Sequence, residues 1–163
     1  MNPRCLCGPA ALMLALSLSP AAIPAQAATE AFAALAGNWS GSGTVQMANG
    51  GHEPLRCRAN YAVGSGGDKV RLSIRCASNS YRIDLASNVA SNGTAISGQW
   101  SEASQNASGT LSGQANGNRI TAVARSDAFS ANLSLTTQGN RQTIAIQPRG
   151  TMVQRVSLTL SRH

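Results

Sequence analysis

From Trp39 onward the chain is written in short runs of alternating apolar and polar residues, separated by clusters of Gly, Asn and Ser. This pattern predicts ten strands, near 39–48, 54–63, 69–77, 80–89, 93–102, 106–115, 118–126, 128–137, 140–147 and 151–161. A long series of hairpin-linked strands leaves two bare edges unless the sheet closes on itself. The expected fold is therefore all-β, an up-and-down antiparallel β-barrel of eight to ten strands.

The alternation is clearest in the third run, where Val70, Leu72, Ile74 and Cys76 share one face and Lys69, Arg71, Ser73 and Arg75 the other. The fourth run turns Tyr81, Ile83 and Leu85 inward, with Arg82 and Asp84 outward. The eighth turns Phe129, Ala131, Leu133 and Leu135 inward. One dry face and one wet face mark antiparallel strands. Asn49-Gly50-Gly51, Asn92-Gly93, Asn116-Gly117-Asn118 and Gly139-Asn140 supply turn residues that tolerate positive φ.

Ahead of the strands, residues 1–27 read as an export signal. Arg4 gives the basic start, Ala10–Leu18 the apolar segment, and Ala25-Gln26-Ala27 the peptidase site. The apolar segment is too short for a spanning helix. Residues 28–163 then form a single β-barrel domain, exported to a bacterial periplasm or the extracellular space, and no later segment reads as transmembrane. A short helix is expected over Thr29–Ala36, with Thr29 as its N-cap and Phe32 and Leu35 on one side, plugging or covering one barrel end.

Cys5 and Cys7 leave with the signal. The remaining pair, Cys57 and Cys76, is expected to form a disulfide in an oxidising compartment. Placing these two opposite each other sets the register between the second and third strands. Ala59 then meets Ile74, Tyr61 meets Leu72, and Val63 meets Val70, so inward residues face inward residues.

The charge balance narrows the partners. The chain carries 13 Lys and Arg against 6 Asp and Glu, and Lys69 is its sole lysine. In the register above Arg58 lies opposite Arg75, with Arg56, Arg71 and Arg82 close by on the outer face. Like charges directly opposite are destabilising. The cluster therefore reads either as a solvated face or as a basic patch for phosphate or carboxylate groups of an anionic envelope component or an acidic protein. No aromatic-rich strand accompanies it, so nucleic acid is not expected as a partner.

No catalytic constellation is apparent. His52 sits in a polar turn and His163 ends the chain, neither with metal-ligand spacing to Cys or carboxylate. The six carboxylates, Glu30, Glu53, Asp68, Asp84, Glu102 and Asp127, are scattered, and no nucleophile-elbow or phosphate-loop motif is present. The chain is expected to be non-catalytic and to need neither metal nor cofactor. Its candidate feature is the interior, because Ala107, Gly109, Leu111 and Gly113 share an inward phase and small side chains leave space. Tyr61, Tyr81, Trp100 and Phe129 then either fill the core or line a ligand pocket.

Gly37-Asn38-Trp39, after the short helix and at the start of the first strand, resembles the Gly-x-Trp element that opens lipocalin-like barrels. In that family the Trp closes one barrel end and packs against a basic residue from the last strands. The resemblance implies that Arg155 or Arg162 stacks on Trp39. The avidin family is similar in opening its first strand this way, with inward aromatics around its ligand. The fatty-acid-binding barrels match in strand number, but residues 49–54 are too few for their helical lid. Together these readings imply binding of a small hydrophobic or amphipathic ligand inside the barrel. The alternative is an interaction or inhibitor module acting through the Arg-rich outer face.

Overall fold

The computed structural model describes residues 30–163. The export-signal reading and the Thr29 cap lie outside these residues. Ten strands follow one another: β1 (Gly37–Met47), β2 (His52–Val63), β3 (Lys69–Ala77), β4 (Arg82–Asn92), β5 (Ala95–Glu102), β6 (Ala107–Asn116), β7 (Arg119–Arg125), β8 (Ser130–Gln138), β9 (Arg141–Arg149) and β10 (Val153–Arg162). Each pairs antiparallel with its sequence neighbours, and β1 pairs with β10 to close the barrel. The closure is extensive, with Trp39 opposite Arg162 at one end and Val45 opposite Val156 near the other.

The register expected for β2 and β3 is the one observed. Cys57 faces Cys76, Ala59 faces Ile74, Tyr61 faces Leu72 and Val63 faces Val70. Cys57 and Cys76 are disulfide-bonded with their Cα atoms 4.1 Å apart. Two-residue turns join β4 to β5, β6 to β7 and β8 to β9 at one end of the barrel. At the second of these, Gly117 takes φ 57°, a conformation open to glycine at no steric cost. Loops of three or four residues lie at the opposite end, where β1 joins β2, β3 joins β4, β5 joins β6, β7 joins β8 and β9 joins β10.

The expected helix over 29–36 is a single 3-10 turn, Ala33–Leu35. The amides of Ala33, Leu35 and Ala36 bond to carbonyls three residues back. Leu35 O accepts from Trp39 Nε1 at 2.8 Å, and the Phe32 amide leaves for Gly67 O at 3.0 Å in the β2–β3 loop. These bonds dock the segment onto the barrel. Phe32 and Trp39 are 1 % exposed and Leu35 4 %, so this end is sealed.

Candidate functional site

Two regions gather polar side chains. The first is the interior. Near the sealed end, Tyr61 Oη donates to Gln142 Oε1 at 2.8 Å, and Gln142 Nε2 donates to Thr137 Oγ1 at 3.4 Å. All three side chains are buried. Burial raises the Tyr61 phenol well above its ordinary value, and the Gln142 hydrogen bond opposes that shift in part. This chain of bonds joins β2, β8 and β9 across the core and leaves the Tyr61 hydroxyl already partnered.

Toward the other end burial is less complete along part of the wall. Ile83, Leu85, Leu111, Leu133, Ile146 and Val156 belong to the inward phase but are only half-buried. The apolar interior therefore meets solvent there. Between the two regions Ser87 points inward, with Leu72 opposite it on β3 and Trp100 on β5. Ser87 is 4 % exposed and its hydroxyl has no hydrogen-bond partner among the described residues. A buried hydroxyl without a partner is costly, so a group that bonded to it would be held with added affinity.

The aromatics expected in the interior divide. Trp100 is buried, donates through Nε1 to Thr110 O at 3.1 Å, and packs its ring 5.6 Å from that of Phe129. Its cross-strand partner is Gly109, where a Cβ would stand 3.1 Å from the indole and 1.8 Å from Arg125 O. Only glycine lets β6 approach β7 so closely. Phe129 and Tyr81 are half-buried beside the β7–β8 and β3–β4 loops, and Tyr81 Oη contacts Met47 Sδ at 3.7 Å. Tyr81 precedes β4 rather than lying within it.

The second region is a groove of about 1520 Å³ on the outer face of β1–β4, open to solvent. Its lining follows from the register. One row across the sheet runs Ser42, Arg56, Ala77, Arg82, and the next runs Ser40, Arg58, Arg75, Asp84. Of the five arginines expected in this patch, Arg56, Arg58, Arg75 and Arg82 line the groove. Arg71 lies further along β3 and bonds through Nε to Asn88 Oδ1 at 3.1 Å. Arg75 pairs with Asp84 at 3.1 Å, the one ion pair among the described residues. At the edge His163 Nε2 hydrogen-bonds with Ser40 Oγ, and Asn60 Nδ2 donates to Asn38 Oδ1 at 2.8 Å.

The loop 103–106 forms one wall through Ala103 and Ser104. Glu102 fixes it, accepting from the amides of Asp84, Ser104 and Gln105 at 2.6–3.1 Å and from Ser104 Oγ. Burial pushes the Glu102 carboxyl up, but the hydrogen bond from Ser104 Oγ and those from the three amides outweigh it, and its pKa is lowered.

The basic partner of Trp39 is Arg162, whose guanidinium carbon sits 4.6 Å from the ring centroid. Arg155, the other expected partner, pairs with Gln46 toward the opposite end and is exposed. The strand pairing decides this, because it sets Arg162 directly across from Trp39. Ser87, Gln142, Thr137 and Glu102 were not expected as site residues, although the inward phase of their strands contains them.

No group of three or more His, Cys, Asp or Glu side chains is gathered to hold a metal ion among the described residues. No helix among them is long and apolar enough to cross a membrane. No protein-family pattern matches the chain, and no curated protein sequence does. Solved structures do resemble it. Rv2717c from M. tuberculosis superposes with a TM-score of 0.67 at 14 % identity, over 90 % of this chain and 99 % of that one. The S-type phycobiliprotein lyase CPES from Guillardia theta superposes with a TM-score of 0.60 at 12 % identity, over 86 % of this chain and 98 % of that one. At such identities the likeness is one of fold: the chain is a ten-stranded antiparallel barrel structurally related to these barrel proteins.

Proposed function

We propose that this protein is a non-catalytic, exported barrel that binds a small hydrophobic or amphipathic molecule in its interior, in a periplasmic or extracellular setting. The observation that carries the reading is an inward apolar surface that is only half-buried. One end is sealed by Phe32, Leu35 and Trp39, while Leu85, Leu111, Leu133, Ile146 and Val156 stay half-buried toward the other. These side chains pack against the core yet still meet solvent, and an apolar ligand would cover that surface. Ser87 supplies one hydrogen-bonding group below that wall, which suits a molecule with a polar head and an apolar body.

The lipocalin-like reading enters the proposal through the sealed end, where the Arg162 guanidinium lies on Trp39. Inward aromatics around a ligand, the avidin-like element, correspond here to Trp100 and Phe129. The test is native mass spectrometry of the protein purified without detergent, before and after extraction with organic solvent. A bound species of low mass that extraction removes is the expected result. A protein that carries none, and takes up no apolar compound from a panel of fatty acids and polycyclic probes, contradicts the proposal.

A further inference from the structure

We infer that the arginine groove on the outer face of β1–β4 is a second binding site, independent of the interior, and that it holds an anionic polysaccharide chain. Four arginines line it against a single carboxylate side chain, Asp84, which is engaged by Arg75. Arg56, Arg58 and Arg82 have no carboxylate partner among the described residues. Arg58 stands directly across from Arg75, a like-charge pairing that Asp84 offsets only from the Arg75 side. Arg56 and Arg58, on the same face of β2, are two residues apart and so about 7 Å from each other along the strand. A chain bearing anionic groups at short, regular intervals meets this spacing.

The rest of the lining selects among polyanions. Around the arginines lie hydroxyls and amides: Ser40 and Ser42 on β1, Asn60 and Ser73 in the next row, and Ser104 on the 103–106 loop, of which Ser42 and Ser73 make no side-chain hydrogen bond among the described residues. These match the hydroxyls of a sugar. Protein interfaces draw their affinity from buried aromatic and apolar anchors. The groove presents none: Trp39 on its floor is 1 % exposed, and the one exposed large hydrophobic residue among those described, Met152, does not line it. A bilayer surface is broad, whereas this site is bounded by the 103–106 loop on one side and His163 on another. The composition therefore favours a hydrophilic anionic glycan over an acidic protein or a membrane.

Isothermal titration of the full mature protein tests this with hexagalacturonate and a heparin hexasaccharide as probes. Maltohexaose serves as the neutral control, and hexaglutamate and phosphatidylglycerol vesicles as rival anions. At least one anionic sugar binds more tightly than hexaglutamate and the vesicles, maltohexaose does not bind, and added salt weakens the binding. The double variant Arg58→Gln/Arg75→Gln weakens the sugar by about tenfold. Arg119→Gln/Arg125→Gln, on β7 outside the groove, changes it less than twofold. Equal losses in both double variants overturn the inference, as does equal or tighter binding of hexaglutamate or the vesicles, or no binding of either anionic sugar. Because the groove lies on the outer face, a failure here leaves uptake of apolar compounds unchanged, which separates it from a failure of the interior proposal.

Discussion

Arg162 lies over Trp39, with 4.6 Å between the guanidinium carbon and the ring centroid, and so clasps the last strand to the first where the barrel closes. The same guanidinium donates through Nη2 to Ala34 O, which ties the 3-10 turn into the clasp. Trp39→Ala should destabilise the fold by about 3–5 kcal/mol through loss of a fully buried ring. Arg162→Ala should cost less, about 1–2 kcal/mol, from the lost cation–π contact and hydrogen bond. Urea unfolding of the two variants checks the ranking, and an Arg162 variant as damaging as Trp39→Ala would contradict it.

Cys57 and Cys76 close a loop with a sequence separation of 19 residues. Their bond holds β2 to β3 in the register that places Arg58 across from Arg75. Replacing both by alanine should lower stability by about 3 kcal/mol on the chain-entropy model. The fold should otherwise persist, because Ala59, Tyr61 and Val63 still meet inward partners. Denaturation of oxidised, reduced and Cys57→Ala/Cys76→Ala protein measures this, and reduced wild type should match the alanine variant.

Glu102 gives the pH dependence a definite sign. Its folded pKa lies below the ordinary value of 4.5, so the stability it contributes is fully present above that value. That contribution is lost as the pH falls through the lowered folded value. At neutral pH Glu102→Gln should cost about 1–2 kcal/mol, because its charge-assisted bonds to the 103–106 loop weaken. The gap between wild type and variant should narrow as the pH drops below the ordinary value. A gap that stays constant down to acid-induced unfolding would show that the ionised carboxylate is not what holds the loop.

The pairing of Arg58 with Arg75 makes an unusual stability forecast. Arg58→Gln should raise stability, by about 0.2–1 kcal/mol, since it removes a cross-strand repulsion. The gain should shrink in high salt. Chemical denaturation at two ionic strengths is the check, and a salt-independent loss of stability would mean that the aliphatic stem of Arg58, rather than its charge, matters at this position.

Much of this architecture was legible in the sequence because period-two alternation carries both face and register. Val70, Leu72, Ile74 and Cys76 could point only one way, and a slip of one residue would have exposed all four. The expected strand ends differ from the observed ones by a few residues, as at β4, which starts at Arg82 after Tyr81. The turn at 33–35 was expected as a helix because Phe32 and Leu35 share a side. Bonds to Gly67 and Trp39, which are tertiary, decide its form. Ser87 and Gln142 escaped notice because inward positions were read by their apolar members, and a polar residue in phase gives no sign of whether it finds a partner. The arginine cluster is visible by register, but the 103–106 loop that walls it is held by the bonds to Glu102, which alternation does not encode.

Titration with a fluorescent apolar probe such as ANS reads out whether the half-buried apolar interior accepts a ligand. Folded wild type should bind about one probe per barrel with a blue-shifted emission. Leu133→Trp, which fills the wall beside Ile146, should abolish that binding while thermal unfolding stays cooperative. Probe binding that is absent in the wild type, or that survives undiminished in a folded Leu133→Trp variant, would contradict the proposed binding.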